Sequence, residues 1–263
     1  MMVVKIGGAV GTDLSNLVED LKGMKEVILV HGGSDEMNRL SEQLGKPPRF
    51  VTSPSGHTSR VTDEDTLDIL RMTYSGSVNK RLVQMLRMMN INAIGLTGID
   101  GGLLKGRRKE AIRIIEDGRI KVLRGDNTGT VEKVHVELLG NLLGSGYLPV
   151  ITIPIEAEDG GALNADADRV AASIAAAVRA DQLVLLTNKP GLLRDVDDPS
   201  SLVRSVGRDA IEGAMDIAQG RMKKKVLAAQ EALNGGVSRV IISGANIERP
   251  LTQALEGGGT VIC

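Results

Sequence analysis

The chain is nearly devoid of aromatic side chains. Phe50, Tyr74 and Tyr147 are all it has, and tryptophan is absent. A protein that stacks bases along a single strand of nucleic acid needs such rings in number. The same shortage means that the core must be built from Val, Ile, Leu, Met and Ala. Cysteine is scarcer still: Cys263, the last residue, stands alone, so no disulfide can form within the chain, as suits a reducing cytoplasm. No run approaches the ~18 consecutive apolar residues that span a bilayer. The first residues lack the basic, apolar and small-residue succession of a signal peptide. No excess of charge of either sign exists. With 32 basic and 33 acidic residues the net charge is −1, which gives no global pull toward nucleic acid or a membrane surface. His31, His57 and His135 lack zinc-site spacing and have no cysteine to join them. There is no Gly-x-x-x-x-Gly-Lys-Ser/Thr, no Gly-x-Gly-x-x-Gly behind a strand and no Gly-x-Ser-x-Gly elbow, which excludes the P-loop, dinucleotide and α/β-hydrolase fingerprints.

What is present reads as an alternating α/β chain. The 263 residues, 42% of them hydrophobic, fit one large domain or two lobes sharing a core. Apolar runs at Val3–Ile6, Val27–Val30, Ala93–Leu96, Leu148–Ile153, Leu183–Leu186 and Val240–Ile242 predict strands. Helical patterns lie between most of them. Leu14, Leu17, Val18 and Leu21 mark one helical face, which Asp13 can cap. Thr62-Asp63-Glu64-Asp65 looks like a helix start, and Ala167–Val178 and Met222–Leu233 read as helices. Strands alternating with helices predict a largely parallel sheet. One stretch differs: Ala111–Ile115 and Arg119–Leu123, joined by Glu116-Asp117-Gly118, predict a β-hairpin. The acidic, glycine-containing loop Glu156–Gly161 is the expected lobe boundary, which divides the chain into 1–157 and 158–263.

Four clusters carry chemistry. The first strand ends in Lys5-Ile6-Gly7-Gly8 and the second in His31-Gly32-Gly33. Paired glycines let backbone N–H groups approach an anion closely, and a lysine inside an apolar strand is costly unless its charge has a task. Two strand ends of this kind suggest phosphate handling at the carboxyl edge of a sheet. The plainer reading is two tight turns and a lysine that snorkels to solvent. Asn164-Ala165-Asp166, with Asp168 and Arg169, opens the alanine-rich helix. Asp166 either caps that helix or faces the site and holds lysines in place. Gly220-Arg221-Met222-Lys223-Lys224-Lys225 puts three lysines where the helix dipole disfavours them, and anion binding is the favoured account. Finally, an arginine after a polar, glycine-bearing loop, Arg60 in Gly56–Asp63, suits bidentate binding of a carboxylate.

Taken in order, these motifs resemble the amino-acid kinase superfamily, acetylglutamate-kinase branch, over essentially the whole chain. Lys5-Ile6-Gly7-Gly8, His31-Gly32-Gly33, Arg60-Val61-Thr62-Asp63 and Asn164-Ala165-Asp166 are similar to that branch's motifs. So are Leu185-Leu186-Thr187-Asn188 with Gly191-Leu192, and Gly220-x-Met222-x-x-Lys225-Val226, which picks Lys225 from the three lysines. Gly32-Gly33-Ser34 stands where the branch often has three glycines, and Ala162 where it often has a further asparagine. The segment Arg49-Phe50-Val51-Thr52-Ser53-Pro54-Ser55-Gly56 resembles the sub-branch that acts on amino acids borne by the small acidic carrier protein LysW.

The resemblance implies a three-layer αβα fold with a largely parallel central sheet and a hairpin. It implies phosphoryl transfer from ATP, with Mg²⁺ on the phosphates and few direct protein ligands, to the side-chain carboxylate of aminoadipate or glutamate on that carrier. Lys5 and Lys225 would neutralise charge on the transferring group, and Asp166 would orient both. Gly7, Gly8, Gly32 and Gly33 would donate N–H groups, with Gly32 and Gly33 on the acceptor side. Arg60 and Asn164 would hold the acceptor's α-carboxylate end. Thr187, Asn188, Gly191, Leu192 and Met222 would line the nucleotide site. The branch also implies a homodimer, since the N-terminal extension of its regulated hexameric members has no counterpart before the first strand. A basic rim of Arg49, Arg60, Lys80-Arg81 and Lys105–Lys109 is expected to receive the acidic carrier, unless the last cluster is simply a solvated surface. Two other readings remain: acetylglutamate kinase acting on the free amino acid, and a nucleotide-binding or storage protein on the same fold.

Overall fold

The computed structural model describes residues 1–7 and 14–263. Gly8 and the expected cap Asp13 lie outside the described residues. The chain runs β1 (Met2–Ile6), α1 (Ser15–Asp20), β2 (Val27–His31), α2 (Ser34–Gln43), β3 (Phe50–Thr52), β4 (Thr58–Arg60) and α3 (Glu64–Leu70). A π-helical segment (Arg71–Val78) leads into α4 (Asn79–Met88) and β5 (Ala93–Thr97). There follow β6 (Leu104–Arg108), β7 (Ile112–Glu116), β8 (Arg119–Leu123), β9 (Gly129–Val134), α5 (Val136–Gly144), β10 (Leu148–Thr152), β11 (Ile155–Ala157) and β12 (Ala162–Leu163). The last part comprises α6 (Ala167–Ala177), β13 (Gln182–Thr187), β14 (Ser205–Val206), α7 (Ile211–Ile217), α8 (Arg221–Asn234), β15 (Arg239–Gly244), α9 (Pro250–Leu255) and β16 (Thr260–Ile262).

Every apolar run singled out in the sequence contributes a strand to one sheet, of order β14-β16-β15-β13-β1-β2-β10-β5. Its pairings are parallel except β15 with β16. Such strands are apolar throughout because both faces are covered. Alternation sends Val3, Ile28 and Val30 into a core shared with α6 and α8, and Val4, Ile6, Leu29 into one shared with α1, α4 and α9. The result is three layers, helix–sheet–helix. β1 pairs with β2 on one side and β13 on the other, so a single sheet runs through both halves of the chain. β11 likewise pairs with β12 across residue 157.

Two four-stranded sheets stand apart, β12-β11-β6-β9 and β4-β3-β7-β8. The second contains the expected hairpin, β7–β8. Its turn residues Asp117 and Gly118 have φ of 52° and 71°, the left-handed backbone that a two-residue primed turn requires. The helix start at Thr62–Asp65 is real: Asp63 caps α3 by accepting from the Thr66 N–H at 2.9 Å. The π-helical turns that follow were not legible in the sequence. Such segments widen a helix locally and cluster at functional sites. This one brings the buried Tyr74 ring against the end of β2.

Candidate active site

Lys5 shares the sheet face of Val3, and at the carboxyl end of β1 that face looks onto the first turn of α6. There Lys5 Nζ meets Asp168 Oδ1 at 2.7 Å. Lys225, in the first turns of α8, donates from Nζ to Asp168 Oδ2 at 2.8 Å. All three side chains are buried. Two lysines on one aspartate leave a surplus positive charge in a place poor in water, which an anionic ligand would neutralise. Burial pushes the Asp168 carboxyl up, but Lys225 and Lys5 overrule it and hold it well below the usual carboxylate range. Burial lowers Lys225 from the ordinary lysine value, against the opposing pull of Asp168. A bidentate pair braces the helices that carry Asp168 and Lys225: Arg169 on α6 donates from Nε to Glu231 Oε2 at 2.9 Å and from Nη2 to Oε1 at 2.6 Å.

This arrangement corrects the role expected for Asp166. Its Oδ1 accepts from the Asp168 and Arg169 N–H groups, at 3.0 and 3.3 Å, which makes it the cap of α6. Its Oδ2 pairs with Lys224 at 3.3 Å. The lysine-orienting carboxylate is Asp168, which lies inside the helix. Helical spacing could have found it. Asp168, Ala171, Ala172 and Ala175 form one buried stripe of α6, and Lys225, Ala228, Ala229 and Ala232 the matching stripe of α8. Small residues on both let the helices approach closely around the charged pair.

The glycines also differ from expectation. The Gly7 N–H donates to the Leu186 carbonyl at 3.1 Å, and the Gly32 N–H to the Ile6 carbonyl at 3.1 Å. Both are committed to extending the sheet ladder, so neither is free for phosphate or acceptor. Gly33 serves by its shape. A Cβ there would sit 3.2–3.3 Å from the Tyr74 ring. His31, at the end of β2, is buried. The Asn79 amide donates to Nε2 at 3.0 Å, so Nδ1 carries the proton and donates to the Gly32 carbonyl, also at 3.0 Å. Burial lowers its pKa to about 4, so it is a neutral strut. Sequence reasoning missed that role.

On the acceptor side, the buried Arg60 guanidinium lies 4.8 Å from the Phe50 ring centre. Its Nη2 donates to Asn38 Oδ1 and to the Ser34 carbonyl, while Nη1 has no hydrogen-bond partner among the described residues. Asn164 donates from Nδ2 to Thr62 Oγ1 at 2.9 Å, which joins it to the Arg60 segment. On the other side of the lysines, Thr187, Asn188, Gly191, Leu192 and Met222 line one hollow of about 170 Å³ together with Lys225. Gly191 is required there by close packing, since a Cβ would lie 2.6 Å from Thr260 Oγ1. The basic rim expected from the sequence is weaker than the sequence suggested. Lys105 pairs with Glu156 at 3.4 Å, Arg107 with Glu132 at 3.1 Å, Arg108 with Asp159 at 3.6 Å and Arg49 with Glu116 at 3.0 Å. Lys109 is exposed and has no ion-pair partner among the described residues. Among the described residues, no group of three or more His, Cys, Asp or Glu gathers as a candidate metal site.

Comparison with known proteins shows the family. The amino acid kinase family matches residues 1–244. The chain is 52% identical to a [LysW]-aminoadipate kinase of Deinococcus radiodurans, over 100% of this chain and 91% of that protein. It is 49% identical to the [LysW]-aminoadipate kinase of Thermus thermophilus, over the full length of both. Among solved structures, the N-acetylglutamate synthase of Neisseria gonorrhoeae in complex with coenzyme A and N-acetyl-glutamate superimposes with a TM-score of 0.80 at 26% identity. That match covers 100% of this chain and 59% of the synthase. By sequence over nearly its whole length, and by fold, the chain belongs to the amino acid kinase family.

Proposed function

We propose that the chain is an ATP-dependent kinase for the side-chain carboxylate of aminoadipate, or of glutamate, attached to a LysW-type carrier protein. The observation that carries the chemistry is the buried Lys5–Asp168–Lys225 bridge. One carboxylate oxygen of the acceptor attacks the γ-phosphorus of ATP in line. The new O–P bond forms as the bond to the β–γ bridging oxygen breaks, giving an acyl phosphate and ADP. The attacking carboxylate is already ionised, so no protein base is needed. Positioning and charge stabilisation supply the catalysis. Lys5 and Lys225 stabilise charge on the transferring phosphoryl oxygens, and Asp168 positions both lysines. Arg60 offers Nη1, which has no hydrogen-bond partner among the described residues, to the acceptor's α-carboxylate, with Asn164 beside it. Thr187, Asn188, Gly191, Leu192 and Met222 wall the nucleotide.

Mg²⁺ would be carried by the phosphates of ATP and would supply further neutralisation of their charge. Both Asp168 oxygens already face lysines, so that carboxylate is not a metal ligand in this reading. The enzyme acts in the cytoplasm as a homodimer, and the exposed Met72 and Met88 of the helical stretch 71–88 offer apolar surface for pairing. Light scattering at the mass of two chains is the expected result; a stable monomer would contradict the dimer. The test of function is ADP release with three acceptors: carrier-linked aminoadipate, carrier-linked glutamate and free N-acetylglutamate. Turnover of the carrier-linked acids is expected. Turnover of N-acetylglutamate alone would transfer the chain to the free-substrate kinases, and no turnover at all would favour a binding protein.

A further inference from the structure

Three consecutive polar residues, Asp126, Asn127 and Thr128, are buried in the connection between β8 and β9. Loops seldom bury such side chains unless each has a partner. Two of the three do. The Asp126 carboxylate accepts from the Thr62 N–H at 2.7 Å and from the Thr128 N–H at 2.9 Å. Asn127 donates from Nδ2 to Glu64 Oε1 at 2.7 Å and accepts from Arg108 at Oδ1. Thr128 is different. It is 8% exposed, and its Oγ1 has no hydrogen-bond partner among the described residues.

The backbone fixes where that hydroxyl stands. Thr128 bridges to Asn164 in parallel register. The Asn164 N–H donates to the Asn127 carbonyl at 2.8 Å, and the Gly129 N–H to the Asn164 carbonyl at 2.9 Å. Asn127 also donates its N–H to the Thr62 carbonyl at 2.8 Å. Thr62 in turn accepts from Asn164 and donates to the Arg60 carbonyl at 3.3 Å. Residues 126–128 therefore lash together the two segments that carry Arg60 and Asn164. Apart from Asp168 Oδ1, which is ion-paired with Lys5, the buried side-chain polar atoms without a hydrogen-bond partner among the described residues are Arg60 Nη1 and Thr128 Oγ1. Both belong to this one network. An unsatisfied buried hydroxyl destabilises a fold, and a rigid strap that holds its residue alongside Asn164 preorganises it for a ligand oxygen.

We propose that Thr128 is a further acceptor-binding residue, whose hydroxyl donates to an oxygen at the α-carbon end of the acceptor. The inference rests on the reading that Arg60 and Asn164 hold that end. Thr128→Val keeps the shape and deletes the hydroxyl. It should raise the melting temperature by about 2 °C, because the orphaned group is gone. It should also raise the acceptor KM about tenfold, the loss of one hydrogen bond of ~1.4 kcal/mol, with kcat within about twofold. Thr128→Ser should return KM to near the wild-type value. A purely structural threonine would not give tighter folding together with weaker acceptor binding. Thr128→Ala serves if valine is not accepted. An unchanged KM in a folded hydroxyl-deleted variant would overturn the proposal.

The wild-type protein is assayed first, so a failure of the functional reading appears there, before any variant is compared. Calorimetric binding of free aminoadipate and of N-acetylglutamate repeats the comparison without turnover. An affinity loss for both acids assigns the α-carboxylate as the partner. A loss for the N-acylated acid alone assigns its amide oxygen. No loss for either overturns the proposal.

Discussion

The two sides of the cleft are built on opposite principles. At the lysine pair, each of these side chains is held by an ion pair, with one positive charge in surplus: Lys5 and Lys225 share Asp168, Lys224 has Asp166, and Arg169 has Glu231. At the proposed acceptor wall, Arg60 Nη1 and Thr128 Oγ1 are buried without hydrogen-bond partners among the described residues. A charge that must act on a transition state benefits from being fixed beforehand, because no reorganisation is then needed during the reaction. A recognition group must instead keep a valence open for the ligand. In the proposed function, the transfer lysines are already fixed in the free protein, whereas the acceptor wall is completed by its substrate.

The sharpest way to break this comparison is Asp168→Asn. It keeps the shape and removes the charge that fixes both lysines. kcat should fall by roughly 10²–10³, the scale of a lost preorganised stabiliser. Stability should fall by about 3–5 kcal/mol, because two buried ammonium groups are left facing each other. The sign of its pH dependence follows from the depressed Asp168 carboxyl. A folded-state pKa below the unfolded value contributes stability that is present above the unfolded pKa. That contribution is lost only as the pH falls through the folded one. Acid titrations of wild type and Asp168→Asn should therefore run parallel at neutral pH and converge only below the ordinary aspartate range near pH 4. Convergence already at pH 6 would place the charge elsewhere.

Next in size comes Lys225→Ala, with kcat down about 10²-fold while acceptor KM moves little. Near-normal kcat would remove this lysine from the transfer step. Arg60→Lys probes the other side. It cannot reproduce the guanidinium fork, and acceptor KM should rise roughly 10–100-fold, with kcat changed much less. Equal losses in kcat and kcat/KM would mean that Arg60 acts on the transition state and would erase the contrast between the two sides. Asp166→Ala removes a helix cap and should cost about 1 kcal/mol of stability, read by denaturant unfolding, with kcat within a few-fold. A 10³-fold loss of kcat would restore it as the lysine orienter. The smallest effect is expected on the rim. Arg107 already faces Glu132, so reversing it to Glu should change carrier KM less than about threefold at ~0.15 M salt. A larger, salt-sensitive change would make it part of the dock.

Much of the frame was legible in the sequence because it follows local rules. The six apolar runs are strands, the Asp117-Gly118 turn closes its hairpin, and Asp63 starts its helix. What was not legible depends on partners remote in sequence. Whether the arginines of 105–109 form a basic surface depends on Glu132, Glu158 and Asp159, which fold back across them. The glycine N–H groups looked available until sheet pairing committed those of Gly7 and Gly32.

By itself, the sequence determined the alternating α/β order and the strand ends at Lys5-Ile6-Gly7-Gly8 and His31-Gly32-Gly33, and its resemblance to the amino-acid kinases picked Lys225 among three lysines. Periodicity, turn chemistry and motif order are properties of neighbouring residues, and they survive without coordinates. Only the tertiary structure decided which carboxylate stands between the lysines. Asp166 and Asp168 are two residues apart and chemically alike. One lies just before the helix and is taken up by its N–H groups, while the other turns with the buried stripe toward β1 and α8. The same holds for Thr128, an ordinary threonine in sequence, which becomes distinctive because the strap from β8 to β9 buries its hydroxyl beside Asn164 with no protein partner among the described residues. Burial and long-range pairing decide which polar groups are satisfied, and only the folded chain sets both.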